Sequence, residues 1–137
     1  MRHVKVAIIL LVDEQNRFLL QHRTKDARTA PDYWAFFGGG IRPHETPLEA
    51  AIRESQEELS HRPQNPVEVH ERDFLLPNLT GHMHVFVDRY QGDKGQLQLG
   101  EGQNWGWFSL QESQPLKMLD HDREVLEVVL ASLQNVP

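Results

Sequence analysis

The chain has 137 residues, 39% of them hydrophobic, which suffices for one domain with a core but not for two ordinary ones. It contains no cysteine, so a disulfide framework, a thiolate nucleophile and a thiolate zinc site are excluded. The net charge of −6 argues against broad nucleic-acid binding, because such proteins usually present a basic face to phosphates. We therefore expect a single domain, residues 1–137, in the cytoplasm.

The first apolar run, Val4 to Val12, predicts a buried strand. It is too short to span a membrane and is followed at once by a polar turn, after which Phe18 to Leu20 would return as the second strand of a hairpin. No membrane partner is expected from it. Arg23 and Arg28 belong to the one locally basic segment, in the next loop. They are candidates for binding an anionic substrate, and a solvated loop is the alternative.

A short strand, Trp34-Ala35-Phe36, leads into three consecutive glycines. Its alternation would let one aromatic stack on a base while its neighbours pack inward, and Phe36 is the candidate for that contact. Packing in the core is the alternative role, and the more frequent one for buried aromatics.

A helix is predicted from Pro47 to about Leu59. Thr46 can cap its free N–H groups, proline suits the first helical position, and Glu49 completes a capping box. Apolar and small residues recur at three- and four-residue steps and predict the face that packs on a core. These residues are Leu48, Ala51, Ile52, Ser55 and Leu59.

Three glutamates of this helix, Glu54, Glu57 and Glu58, are spaced so that they form one acidic patch on its other side. Like charges at these spacings repel, and a bound cation would reverse that cost. Oxygen-only ligands suit a hard divalent ion such as Mg²⁺ or Mn²⁺, and Mg²⁺ commonly shares its shell with substrate phosphates. The alternative is a solvated acidic face with an Arg53–Glu57 ion pair.

The loop and the helix together fit the pattern G-x5-E-x7-R-E-U-x-E-E-x-G-U, where U is an aliphatic residue. The matching residues are Gly39, Glu45, Arg53, Glu54, Glu57 and Glu58. This pattern resembles the signature of the Nudix hydrolases, the MutT-like nucleotide pyrophosphohydrolases. Three positions depart from it, because Ser55 and His61 replace aliphatic residues and Ser60 replaces a glycine.

The resemblance implies an α/β (α+β) fold in which a mixed sheet is sandwiched between helices, a three-layer α/β/α arrangement. It also implies Mg²⁺-dependent hydrolysis, with Mn²⁺ as a substitute, of a nucleoside diphosphate linked to another moiety. Glu57 and Glu58 would hold the metal, while Glu54 would act as the general base or as a direct ligand. Arg53 would orient the glutamates, and Glu45 would orient Arg53 or the loop.

Two further positions follow from the same resemblance. The carbonyl of Gly38 or Gly39 would help to complete the metal shell, and Gly39 is also a candidate substrate contact. Glu101 precedes an aromatic-rich strand in EGQNWGWFSLQE, and it would reach back to the site as another metal ligand or as a second candidate base.

Beyond the helix, further strands and one helix are predicted from local patterns. The strands are Val67–Val69 with Phe74–Leu76, His82–Val87, Gln96–Leu99 and Trp105–Phe108. A final helix would be capped by Asp120 or Asp122 and run through Leu133. His82 and His84 share one strand face, but no third metal ligand is evident in the sequence, so they are interpreted as surface or pocket residues.

The substrate is the least specified part of this interpretation. A short chain without an added recognition domain favours a small nucleotide, such as a (deoxy)nucleoside triphosphate cleaved to monophosphate and pyrophosphate. ADP-ribose or a nucleotide sugar is the alternative substrate, and a nucleotide-sensing domain without catalysis is the alternative function. The expected partner is a small-molecule nucleotide rather than a nucleic acid, and the protein would be a monomer or a homodimer.

Overall fold

The computed structural model describes residues 2–100 and 102–137. Its strands are β1 (Arg2–Val12), β2 (Phe18–His22), β3 (Trp34–Ala35), β4 (Phe37–Gly40), β5 (Val67–Leu76), β6 (Leu79–Arg89) and β7 (Asn104–Phe108). Its helices are α1 (Pro47–Leu59), α2 (Leu110–Ser113) and α3 (Asp120–Ser132), with 3-10 turns at Lys94–Gln96 and Leu133–Asn135. No helix among the described residues is long and apolar enough to cross a membrane.

Strand β1 is the centre of a mixed seven-stranded sheet. It pairs in parallel with β6 along its whole length, and its other edge is shared between β2 and β4. The predicted hairpin exists only at its turn, where Val12 pairs with Phe18, because β4 occupies the same edge of β1 from Val6 to Ile9. Strand β2 instead pairs with β3 and β7.

Side chains of β1 alternate between two cores on opposite faces of the sheet. Ile8 and Leu10 pack in the core that α3 covers, whereas Ala7 and Ile9 pack in the core that α1 covers. Burying each large aliphatic side chain contributes about 1.5–3 kcal/mol, so these two cores hold the layers together. The predicted three-layer α/β/α arrangement is confirmed.

Helix α1 begins as predicted. Thr46 Oγ1 accepts from the Glu49 N–H, and the Glu49 carboxylate accepts from the Thr46 N–H, which completes the capping box. The predicted apolar stripe is wrong at Leu48, which is 41% exposed. Ala50 is buried instead, because the helix is rotated slightly relative to the predicted face.

The end of α1 explains two departures from the family pattern. Ser60 adopts the left-handed conformation, with φ 54°, and its N–H donates to the Gln56 carbonyl, so the backbone keeps the geometry that glycine usually provides. The buried Ser55 hydroxyl donates to the His61 carbonyl at 2.8 Å, which satisfies a backbone oxygen just beyond the helix.

Two local predictions are wrong. Gln96–Leu99 is not a strand: its backbone docks on the end of α1, where the Gln98 N–H donates to the Leu59 carbonyl, and Leu97 packs in the α1-side core. Neither aspartate caps α3. Leu119 is its N-cap residue and makes no side-chain cap hydrogen bond, and Asp122 is buried within the first turn.

Candidate active site

The glycines of β4 allow the backbone to lie directly against β1 and α1. Gly38 has φ +140°, and a Cβ there would lie 2.3 Å from the Ala7 carbonyl oxygen, so a side chain is excluded. A Cβ on Gly39 would lie 2.6 Å from Glu54 Oε1. The Gly38 N–H donates to Glu58 Oε1 at 2.7 Å. The glycines and two glutamates of the acidic patch, Glu54 and Glu58, are therefore brought together.

Arg53 ties the loop to the helix. Its Nε and Nη2 donate to the two carboxylate oxygens of Glu45 at 2.7 and 3.0 Å, a bidentate ion pair. Nη2 also donates to the Gly40 carbonyl at 2.9 Å, and Nη1 donates to Glu54 Oε1 at 2.9 Å. The hydrogen bonds from Arg53 lower the pKa of Glu45 to about 2. This guanidinium thus fixes the position of both carboxylates.

The three glutamates of the patch differ in exposure. Glu58 is 4% exposed and Glu54 is also largely buried, whereas the Glu57 side chain is 51% exposed. The alternative interpretation, a solvated acidic face, is therefore wrong for Glu58. Strand β4 lies against this side of the helix and covers Glu58. Glu57 lies at the outer edge of the acidic patch. Its Oε2 is 3.4 Å from Arg53 Nη1 and its Oε1 is 3.7 Å from Arg42 Nη2.

A cleft of about 630 Å³ opens beside these glutamates. Glu54, Glu58, Gly38 and Gly39 form one end of it. The rest is mostly apolar, with residues from β1, β5, β6 and the approach to α3. The apolar lining residues are Val4, Val6, Ile8, Ala30, Ala35, Phe36, Phe74, Leu76, Leu79, Met83 and Leu119. Phe36 packs in the α3-side core and also lines the cleft, so its two predicted roles do not exclude each other.

The sequence interpretation missed Asp122, which lines the cleft and is only 4% exposed. Burial raises its pKa to about 7, although Arg23 and Arg72 oppose that rise through their positive charge. His121 Nε2 lies 3.3 Å from Asp122 Oδ1. In the sequence this aspartate has the position of an ordinary helix cap, and only the docking of α3 on the sheet places it in the cleft.

The two candidate arginines occupy different places. Arg23 lines the cleft, and its Nε donates to the Thr29 carbonyl at 2.7 Å. Arg28 is exposed and lines an adjoining depression of about 410 Å³. Arg2, at the start of β1, also lines the cleft. Glu101 lies outside the described residues.

Comparison with known proteins identifies the family. The model of the NUDIX domain matches residues 1–129. The chain is 30% identical to the 8-oxo-dGTP diphosphatase of Escherichia coli (strain K12), over 80% of this chain and 83% of that protein. It is 33% identical to an RNA pyrophosphohydrolase of Francisella tularensis, over 85% of this chain and 66% of that protein. The chain belongs to the Nudix family, and it is a hydrolase of nucleotide pyrophosphate bonds.

Solved structures agree on the fold. The crystal structure of a MutT protein from Methanosarcina mazei Go1 superposes with a TM-score of 0.80 at 23% identity, over 99% of this chain and 97% of that one. The predicted α+β class is thus confirmed by an experimental fold as well as by the strand order.

The oxygen-rich end of the cleft fits the divalent metal ion that Nudix hydrolases generally need. Glu54 and Glu58 face the cleft with carboxylate oxygens, which suit a hard cation. A Cβ on Gly39 would collide with Glu54 Oε1, so only a residue without a side chain leaves this carboxylate in its place. The carboxylate oxygens at this end of the cleft therefore fit a divalent metal ion, which Nudix hydrolases generally need.

Proposed function

We propose that this protein hydrolyses a (deoxy)nucleoside triphosphate to the monophosphate and pyrophosphate, with Mg²⁺ as the working metal and Mn²⁺ as a substitute. One observation carries the proposal: a single cleft joins a carboxylate-rich end to an apolar end that contains one buried carboxyl group, Asp122. A nucleotide has the matching polarity, because its phosphates bind metal and arginine while its base prefers an apolar pocket with a few polar groups.

At the carboxylate end, Glu57 and Glu58 would hold the ion, with Glu54 and the Gly38 carbonyl completing the set. Such an ion neutralises phosphate oxygens and acidifies a bound water. Glu54 is the proposed base that accepts a proton as the water oxygen bonds to phosphorus and the bond to the pyrophosphate oxygen breaks. Arg53 holds Glu54 from the side through its 2.9 Å hydrogen bond. Glu101 keeps its proposed role as a further ligand or as the second candidate base.

At the apolar end, Phe36 is the proposed stacking surface and Asp122 the proposed polar contact with the base. A carboxyl group whose pKa is about 7 exists in both protonation states at neutral pH, so it can either donate to or accept from a base edge. Arg23 and Gly39 line the cleft and are the proposed phosphate contacts, with Arg28 in the adjoining depression.

The similarity to the Escherichia coli diphosphatase supports a triphosphate over the alternatives, since that protein is named for 8-oxo-dGTP and the match spans most of both chains. ADP-ribose or a nucleotide sugar would need room for a second sugar, which the adjoining depression beside Arg28 could provide. A sensing domain would bind nucleotide in the same cleft without turnover.

The deciding experiment is a substrate panel with Mg²⁺, followed by ion-exchange separation of the products. The panel contains the eight common triphosphates, 8-oxo-dGTP, ADP-ribose, a nucleotide sugar and a 5′-triphosphorylated RNA. We expect one triphosphate to be the best substrate and to give equimolar monophosphate and pyrophosphate. Faster cleavage of ADP-ribose, the sugar or the RNA, or release of orthophosphate, would overturn the proposed substrate. Nucleotide binding without any product would point to sensing.

A further inference from the structure

The hairpin of β5 and β6 carries a second group of metal-ligating side chains. Glu71 and His84 are cross-strand partners, and Asp73 and His82 are the next pair along the same face. Glu71, His82 and His84 each offer one ligand atom, and the three atoms lie within 4.8 Å of one another. We call these three residues the hairpin cluster. Glu71 lies on β5, whereas both histidines lie on the neighbouring strand β6.

The hairpin cluster lies on the opposite face of the sheet from the nucleotide cleft. His82 and His84 alternate with Met83 and Val85, which pack in the α3-side core, and Met83 lines the cleft. Phe86 continues the face of the two histidines and packs in the α1-side core. The cluster thus lies on the sheet face that α1 covers, and its three ligands include none of the glutamates of α1.

A bulge in β5 adds a further carboxylate to this face. The register of β5 against β6 shifts between Glu68 and His70, so Glu68 pairs with Phe86 and lies on the same face as Glu71 and Asp73. Three carboxylates then share one face of a strand. Carboxylates this close repel one another, and a cation or a histidine between them offsets that repulsion.

The distances between ligand atoms suit a small tetrahedral ion. His82 Nε2 lies 2.7 Å and His84 Nδ1 lies 3.5 Å from the same oxygen, Glu71 Oε2. With zinc bonds of about 2.0–2.2 Å, neighbouring ligands of a tetrahedron are roughly 3.3–3.5 Å apart. One distance already fits, and the other needs a side-chain adjustment of under about 1 Å.

The surroundings also resemble those of a metal-ligating histidine. The second nitrogen of His82, Nδ1, lies 2.7 Å from Asp73 Oδ1. A carboxylate in that position fixes the ring and makes its other nitrogen a better ligand. Glu68 Oε2 lies 2.6 Å from His84 Nδ1, which makes it the nearest carboxylate for a fourth ligand.

We propose that the hairpin cluster binds a divalent transition metal, with Zn²⁺ as the representative ion, through Glu71 Oε2, His82 Nε2 and His84 Nδ1. Two imidazoles and a carboxylate are a ligand set that zinc accepts and Mg²⁺ does not favour. The ion joins β5 to β6. Since Phe74 and Leu79 of this hairpin line the cleft, the metal fixes one wall of the nucleotide site from behind.

Calorimetric titration with Zn²⁺ in millimolar Mg²⁺ tests this proposal, with Co²⁺ absorption as a report of coordination geometry. We expect one equivalent of Zn²⁺ to bind the parent protein. His82→Gln and His84→Gln should each weaken binding at least about tenfold, and Asp73→Asn by about 10–100-fold, as loss of a supporting carboxylate does elsewhere. Co²⁺ should give the intense visible bands of a tetrahedral site.

Two variants separate this site from other places where Zn²⁺ could bind. Glu57→Gln removes a carboxylate of the α1 patch, and His44→Asn removes an exposed histidine in the loop before α1. Both should bind Zn²⁺ as the parent does. The proposal is overturned if the parent takes up no Zn²⁺, if the two hairpin histidine variants bind it unchanged, or if Glu57→Gln abolishes binding.

Discussion

Two carboxyl groups near opposite ends of the cleft have pKa values that are shifted in opposite directions. At the glycine end, hydrogen bonds from Arg53 hold the pKa of Glu45 at about 2, so this carboxylate stays charged at any physiological pH. At the apolar end, burial raises the pKa of Asp122 to about 7. Both groups are aspartate or glutamate on or beside a helix. The difference shows that the neighbouring cation and the depth of burial, rather than the residue type, decide which acid is ionised.

The two groups therefore affect stability in opposite directions as pH changes. The folded-state pKa of Glu45 is depressed, so its contribution is present above about pH 4.5 and is lost as pH falls towards 2. The folded-state pKa of Asp122 is raised above 3.8, so the folded state binds the extra proton. Its contribution to stability is present at low pH and is lost as pH rises from about 4 to 7.

The largest effect should come from the carboxylate end. Glu58→Gln keeps an oxygen to accept from the Gly38 N–H, so the fold should survive, but it removes the charge that would hold the metal. We expect kcat to fall by about 10²–10⁴-fold, roughly 3–5 kcal/mol of transition-state stabilisation. Circular dichroism checks the fold, and steady-state kinetics on the best panel substrate measures the loss.

Glu49→Gln is the matched control, because it lies on the same helix and an amide oxygen can still complete the capping box. It should retain parental kcat. Near-parental turnover of Glu58→Gln would remove this residue from the metal site.

Asp122→Asn tests the other end. The free energy of unfolding of the parent should fall between pH 5 and 8, and the variant should not show this fall. At pH 8 the variant should be more stable than the parent by about 2–4 kcal/mol. Urea unfolding at both pH values measures this difference. Asp120→Asn, an exposed residue of the same helical turn, should keep the parental pH dependence. An unchanged slope in Asp122→Asn would mean that this carboxyl group is ionised in the folded protein.

Arg53→Lys would break the arrangement that keeps Glu45 and Glu54 in place. A lysine cannot reproduce a bidentate pair together with bonds to Gly40 and Glu54, so the carboxylates should lose their fixed positions. We expect kcat to fall by about 10–100-fold with a smaller change in KM. Equal changes in both constants would indicate a general loss of the folded loop, which thermal unfolding would reveal.

The two candidate substrate-binding arginines, Arg23 and Arg28, should have smaller effects. Arg23→Ala and Arg28→Ala should mainly raise KM, which corresponds to a loss of about 0.5–1.5 kcal/mol of binding free energy. The larger change should be at Arg23, because it lines the cleft. Arg62→Ala is the control, because Arg62 is exposed and is not among the residues that line the cleft. If Arg23→Ala matches Arg62→Ala, its guanidinium does not contact the substrate.

The smallest effect should be a gain in stability that leaves both ends of the cleft unchanged. Ser60 holds φ 54°, which is easier for glycine, so Ser60→Gly should stabilise the fold by about 0.5–1 kcal/mol. Thermal unfolding measures the gain. The variant should keep the parental kcat and the parental pH dependence. A loss of stability would mean that the greater freedom of glycine in the unfolded chain outweighs the relief of strain.

The sequence predicts the features that depend on residues close to one another along the chain. The capping box of Thr46 and Glu49 and the spacing of Glu54 and Glu58 are both encoded within a few residues. The burial of Glu58 depends on the β4 loop folding over α1, so it is not visible in the helix pattern.

Features that join distant segments could not be predicted in the same way. Asp122 enters the cleft only because α3 packs across the sheet, and Gln96–Leu99 lacks a strand partner because its backbone bonds to the end of α1. The third ligand of the hairpin cluster, Glu71, becomes visible only when the register of β5 and β6 is known.

The close packing of Gly38 has a consequence for how this protein could acquire new substrates. No side chain fits between β4 and β1 there, so the backbone wall beside the phosphates cannot be reshaped by single substitutions. Phe74, Leu79 and Leu119 line the cleft with side chains, whose size a single substitution changes. Laboratory evolution towards another nucleotide should therefore accumulate mutations at these lining residues, while the glycine wall stays invariant among the selected clones.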